Sequence, residues 1–223
     1  MASATASKPT RILEGEHRFL LPGIGWEGYE ALLKMIGDGN IRVSYDGGDA
    51  ELMSPLYGHE NLKTLFARLI EEVAVGLNIP CEGAGATTWR SKILDKGLEP
   101  DECYYLAHSA QVVGRDTIDL EVDPPPDLAV EIEISRSALN RMDVYAALGV
   151  PEVWRFDGKT LRIEQLQPDR SYRPVAASAE LPVISLEEIG HWIKLGRTMG
   201  QTAWARQLRA WVLAELLPRH GNR

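Results

Sequence analysis

The chain has 223 residues, of which 44% are hydrophobic and 25% charged, with a formal net charge of −8. These fractions belong to an ordinary globular domain, large enough to bury roughly 70% of its unfolded surface without a disulfide or metal staple. The acidic total argues against a protein that holds nucleic acid by bulk attraction, though it leaves room for a local basic groove. No apolar run approaches a membrane span and no charged-then-apolar leader opens the chain, so no membrane partner and a cytoplasmic location are expected. The two cysteines, Cys81 and Cys103, are expected as reduced thiols.

In chain order, MASATASKPT is small and polar, and residues 1–23 read as a tail and lead-in to a single domain over residues 24–223. RVSYDGGDAELMS places strand-like runs on either side of Asp46-Gly47-Gly48-Asp49, a hairpin signal. HENLKTLFARLIEEVAVGLNI follows with Leu62, Phe66, Leu69, Ile70, Val73 and Leu77 on one face, the spacing of a helix packed on a core. PCEGAGATTWRSKIL is glycine-rich and then strand-like, and LEPDECYYLAH reads as a second strand, entered through Pro100. Of Tyr104 and Tyr105, one is expected to be buried. Asp123-Pro124-Pro125-Pro126 is a stiff spacer that delivers the next strand.

That strand, PPPDLAVEIEIS, alternates. Leu128, Val130, Ile132 and Ile134 fall on one side, and Asp127, Ala129, Glu131, Glu133 and Ser135 on the other. SRSALNRMDVYAALGVP then reads as a helix, with Ser135 or Ser137 as its cap and Gly149-Val150-Pro151 as its stop. EVWRFDGKTLRIEQL is a hairpin turning at Asp157-Gly158, and Ser185-Leu186-Glu187-Glu188 has the capping-box pattern. Helical stretches run from there to the end. Trp204 and Trp211 share a face that either packs inside the chain or serves a homodimer. The mixture of strands and helices with no linker predicts one α/β domain of mixed α+β type.

Carboxylates two apart on a strand point the same way, ~6.5–7 Å between their origins. Two such groups can share a divalent cation. A third from a neighbouring strand, with Asp101 as the candidate, would complete a hard-oxygen site of the kind Mg²⁺ or Mn²⁺ prefers. A plain solvated sheet face explains the pattern equally well. His59 reads either as a helix-start core residue or as an auxiliary ligand or phosphate contact, and Glu51 either as a hairpin residue or a cleft residue. Arg90, Lys92 and Lys96 read as charge balance or as phosphate contacts, and Trp89 and Trp154 as packing.

EPDECYY, the stretch from PPPDLAVEIEIS through GVPEVWRFDG, and ELMSPLYGHENL together resemble the Uma-two family of restriction endonucleases, within the PD-(D/E)XK nuclease superfamily. The resemblance runs from about residue 24 to the last helix. It implies a restriction-endonuclease-like core, a mixed sheet flanked by helices, and Mg²⁺-dependent hydrolysis of DNA. Carried over, Asp101 and Glu131 are the metal carboxylates, and the main-chain carbonyl of Ile132 is a further ligand. Glu133 stands where the superfamily has lysine. In the Uma-two family a basic residue on the following helix stands in, here Arg141, which stays charged and cannot act as a general base. Glu133 would then be a ligand or the base, and His59 an auxiliary member of the site. Two other readings remain open at this point: a nuclease fold kept as a binding or regulatory module without turnover, and a hydrolase using its carboxylates without metal.

Overall fold

The structure is a computed structural model that describes residues 16–37 and 39–221, so the MASATASKPT tail lies outside the described residues. Two sheets carry the fold. The first has the order β1 (His17–Leu21), β3 (Asp49–Ser54), β2 (Arg42–Asp46), β6 (Lys96–Leu98) and β5 (Trp89–Ser91). The second has the order β11 (Tyr172–Val175), β10 (Leu161–Leu166), β9 (Glu152–Phe156), β8 (Leu128–Ile132), β7 (Glu102–Tyr105) and β4 (Glu82–Gly83). The β8–β9 pair is parallel, and helix α4 (Arg141–Leu148) makes the crossover that a parallel pair requires.

The remaining helices are α1 (Gly25–Ile36), α2 (Tyr57–Leu77), the single turn α3 (Ser109–Val112), α5 (Leu186–Gly196), α6 (Gln201–Trp211) and the terminal turn α7 (Leu217–His220). A π-helical turn, Val212–Leu216, joins α6 to α7. The main core forms where the apolar stripe of α2, including Leu62, Phe66, Leu69, Ile70 and Val73, meets Leu128, Val130, Ile132, Trp154 and Phe156. Each such fully buried side chain contributes ~1.5–3 kcal/mol relative to exposure. The opposite face of the six-stranded sheet packs Cys103, Tyr105, Ala129 and Val153 against Val144 and Tyr145 of α4. α1 covers the five-stranded sheet through Tyr29, which stacks on Tyr45. The repeat Trp26, Tyr29, Leu32, Leu33, Ile36 is the sequence signal of α1, left unassigned above.

The hairpins at Asp46–Asp49 and Asp157-Gly158, the α2 stripe and the Ser185–Glu188 capping box are all present. The strand entered through Pro100 is β7, and Leu98 ahead of the proline ends β6 of the other sheet, because Pro100 has no N–H to continue a ladder and the chain crosses over there. Three expectations need correction. β8 is buried on both faces rather than one, being a central strand with α2 on one side and α4 on the other. Tyr104 and Tyr105 are both buried for the same reason. α4 starts late, with Asn140 as its N-cap residue, since Ser135 and Ser137 are drawn into side-chain hydrogen bonds elsewhere. Trp204 is buried and donates to the Trp192 carbonyl at 2.8 Å, and Trp211 packs on the Trp192 ring, so this face is used inside the chain. Cys81 and Cys103 are free thiols. Among the described residues, no helix is long and apolar enough to cross a membrane.

Candidate active site

β7 and β8 run antiparallel with Glu102 opposite Val130, and the next step of that register sets Asp101 across from Glu131. Both carboxylates are buried. The Asp101 main chain donates to the Val130 carbonyl at 3.2 Å, and its side chain accepts from the Ile132 N–H at 2.6 Å. The β7–β8 pairing therefore fixes both its ends. Asp101 also pairs with Arg42 at 3.0 Å and faces His59 Nε2 at 3.3 Å. Burial drives its carboxyl upward, but His59, Arg42 and the Ile132 N–H outweigh burial and hold it below the ordinary carboxylate range.

Glu131 meets a different balance. Its Oε1 accepts from Arg141 Nη2 at 2.5 Å and from the Tyr145 hydroxyl. Burial still pushes its carboxyl above the ordinary range, against the pull of Arg141 and with Asp101 adding to the rise. Arg141 and Tyr145 lie four apart, on one face of α4, which is why both reach the same oxygen. Arg141 is anchored further by the Ser44 hydroxyl and by the Glu99 carbonyl at 2.9 Å.

Glu133 lies just past β8, half-buried, and takes a bidentate pair from Arg155 at 2.8 and 3.0 Å. His59 is wholly buried at the start of α2, with Nε2 3.1 Å from the Ile132 carbonyl. Burial disfavours its charge, but Asp101 and Glu16 raise its pKa above the ordinary imidazole value. Glu51 accepts from Arg18 at 2.7 Å, the Ser137 hydroxyl at 2.8 Å and the Ala138 N–H at 2.6 Å, so it holds the loop that leads into α4.

Beside these groups opens a cleft of about 300 Å³, lined by Glu131, Glu133, Arg18, Arg136, Arg141 and Arg155 among others. The structure thus brings Glu131, Glu133 and Arg141 to one cleft wall. Asp101, His59 and the Ile132 carbonyl form a second group behind it, outside the cleft lining. Asp127, on the same strand face in the sequence pattern, lies at the other end of β8 and binds the Leu106 and His108 main chain. Arg90 pairs with Glu30 of α1, and Lys96 with Asp46 of β2. Trp89 and Trp154 are buried.

The sequence reading missed Arg42, Arg18, Arg155 and Tyr145. Tyr145 was findable from its spacing to Arg141. The three arginines were not, because each arrives from a strand whose partner no local pattern names.

The donors suit a hard divalent cation: two carboxylates, a main-chain carbonyl and, at Glu16 Oε1, a buried carboxylate oxygen with no hydrogen-bond partner. As they stand, Arg42, His59 and Arg141 hold these oxygens. Among the described residues, no three His, Cys, Asp or Glu side chains are grouped to hold a metal ion. A cation would have to draw oxygens out of existing ion pairs.

Comparison with known proteins bears on what such a site is for. The family model Uma2, described as "Putative restriction endonuclease", matches residues 26–197, well over half of the chain. The chain belongs to this family. No curated protein matches it. Among solved structures, it is similar to one described as a putative nuclease belonging to DUF820 from Anabaena variabilis. The identity is 13% and the TM-score 0.49, over 68% of this chain and 90% of that one. Within the Uma2 match lie Asp101, Glu131, Glu133, Arg141 and His59, whereas Glu16 and Arg18 precede it.

Proposed function

We propose that the protein is a DNA endonuclease that hydrolyses phosphodiester bonds with Mg²⁺ or Mn²⁺. The observation that carries the reading is the buried Asp101–Glu131 pair on adjacent strands, beside an arginine-lined cleft, in a chain of this family. Asp101, Glu131 and the Ile132 carbonyl would hold the cation. Bound there, it would polarise a phosphoryl oxygen and acidify a water molecule.

The chain's own groups divide the remaining work. Arg141 touches Glu131 and lines the cleft, so its guanidinium is placed to orient a phosphate and to stabilise the charge that grows on it. Glu133 reaches the same cleft and is the carboxylate available to take a proton from water, with Arg155 fixing its rotamer. His59 holds the Ile132 carbonyl and Asp101 from behind. Arg42 neutralises Asp101.

The test is cleavage of plasmid and single-stranded DNA with Mg²⁺ or Mn²⁺. The native chain should cut, Asp101→Asn and Glu131→Gln should not, and Arg141→Ala should be slower by roughly 10²–10³-fold. Unchanged rates in Arg141→Ala would remove that residue from the mechanism. One observation favours a second reading. Each of Asp101, Glu131, Glu133 and Glu51 already has an arginine partner, as in a fold kept for binding without turnover. No metal-dependent cleavage of any nucleic acid tested would select that reading.

A further inference from the structure

Arg162 ends a row of charged residues that crosses the six-stranded sheet. Glu131 of β8 stands opposite Arg155 of β9, and Arg155 stands opposite Arg162 of β10. Their chain neighbours Val130, Ile132, Trp154, Phe156, Leu161 and Ile163 all enter the main core. Alternation therefore turns Glu131, Arg155 and Arg162 to the other face, the one on which the cleft opens. Adjacent strands lie ~4.8 Å apart, so Arg162 sits roughly 10 Å across the sheet from Glu131. Glu133 takes Arg155 at 2.8 and 3.0 Å, and Glu164 meets it at 3.6 Å. Arg162 is exposed and, among the described residues, makes no side-chain hydrogen bond or ion pair. Asp157 at the hairpin turn feels its charge without pairing with it. Like charges directly opposite on neighbouring strands repel, and an anion lying over both removes that repulsion. Arg136, on the loop after β8, lines the cleft and is likewise exposed and unpaired among the described residues. Two free guanidiniums thus stand at and beside a cleft whose other arginines, Arg18, Arg141 and Arg155, each hold a carboxylate.

We infer that Arg162 and Arg136 hold backbone phosphates of a DNA strand next to the phosphate that meets Glu131, and that the strand leaves the cleft across β9 and β10 along this row. The inference deepens the endonuclease reading and rests on it for one point, that Glu131 marks the phosphate to be cut. Charge complementarity selects the occupant. A chain of net charge −8 does not hold a polyanion by bulk attraction, so the contacts have to be local. Arg162 and Arg136 are positioning residues: they fix where the strand lies and read no bases.

Fluorescence anisotropy with a fluorescein-labelled DNA single strand and the matching duplex, without divalent cation and over a series of salt concentrations, measures binding apart from cleavage. On whichever of the two binds the native chain more tightly, Arg162→Ala and Arg136→Ala should each weaken binding ~10-fold at low salt. Each should also make the slope of log K against log salt shallower by ~0.7–0.9, the release of one phosphate contact. Arg162→Lys should keep most of the affinity, because a point charge serves a phosphate. Arg206→Ala, at an exposed arginine of α6 on the far side of the sheet, should bind as the native chain does. Arg162→Ala should melt no lower than the native chain, and a lowered melting temperature makes the residue structural and overturns its role. An unchanged slope in either alanine variant, or an equal loss in Arg206→Ala, overturns the proposal. So does an absence of salt-dependent binding by the native chain. Cleavage by the native chain with an unchanged KM in Arg162→Ala overturns it and leaves the endonuclease intact. Arginine-dependent binding without cleavage of any nucleic acid sustains these contacts and removes the endonuclease.

Discussion

Replacing Arg141 by alanine tests how the buried Glu131 is neutralised. The guanidinium bonds Glu131 at 2.5 Å, the Glu99 carbonyl at 2.9 Å and the Ser44 hydroxyl. Glu131 is 4% exposed, so without Arg141 its charge would have the Tyr145 hydroxyl and little water. Removing one partner of a buried ion pair costs about 3–5 kcal/mol, much of it the penalty on the charge left behind. Glu131 can escape part of that penalty by taking up a proton. Burial already raises its carboxyl above the ordinary range, and losing Arg141 removes the largest opposing influence. A folded-state pKa above the unfolded one means that the native state binds the proton more tightly. Stability of the variant is then fully present below the unfolded carboxyl value, ~4.3, and is lost as pH rises through the folded value. Urea denaturation at pH 5 and pH 8 should therefore show the larger deficit at pH 8. In a Glu131→Gln background the same Arg141→Ala change should cost only about 1–2 kcal/mol, because no buried charge remains to be stranded. A deficit under ~1 kcal/mol at pH 8, or the same deficit in both backgrounds, refutes the idea that Arg141 is the counter-charge of Glu131.

Other perturbations separate the remaining parts of the molecule. Mg²⁺ or Mn²⁺ should raise the melting temperature of the native chain but not of Asp101→Asn combined with Glu131→Gln, and equal rises in both would show a nonspecific ion effect. Glu51→Ala should cost about 1–3 kcal/mol by stranding Arg18 and the Ala138 N–H, and amide exchange should quicken across residues 134–140; unchanged exchange there would remove Glu51 as the anchor of that loop. Half-buried Glu180 is pushed up to about 7 by burial and by Asp127 and Glu152. Its contribution to stability falls as pH rises from the unfolded carboxyl value through about 7, so Glu180→Gln should melt higher than the native chain at pH 8 and lose that advantage at pH 5. Gly76→Ala should cost about 1–3 kcal/mol in urea melts, because a methyl there collides with Val212 Cγ1 where α2 meets the π turn; a neutral result would mean that this turn yields readily.

Local periodicity determined a good part of this protein. The stripe on α2, the hairpins at Asp46–Asp49 and Asp157-Gly158, the Ser185 capping box and the Gly149 stop of α4 are all set by contacts within a few residues, which a one-dimensional pattern records. The placement of Asp101 directly before β7 and of Glu131 within β8 belongs with them. Alternation alone put Asp127, Glu131 and Glu133 on one strand face, but it carries no information about distance along the strand or about what covers that face. Tertiary structure sent Asp127 to the far end of β8, buried both faces of that strand, and gave Glu131 to Arg141 and Glu133 to Arg155. It also passed the chain from β6 of one sheet to β7 of the other at Pro100, and so brought Arg42, from the first sheet, to Asp101 at the head of β7 in the second. Glu16 and Arg18 reach the site only because β1 pairs with β3 and so lies beside the loop after β8. Charge pairing in a buried site depends on which elements become neighbours, and that is settled by packing between segments from 10 residues apart, as for Glu131 and Arg141, to 119 apart, as for Glu16 and Ser135, beyond the reach of any helical or strand period.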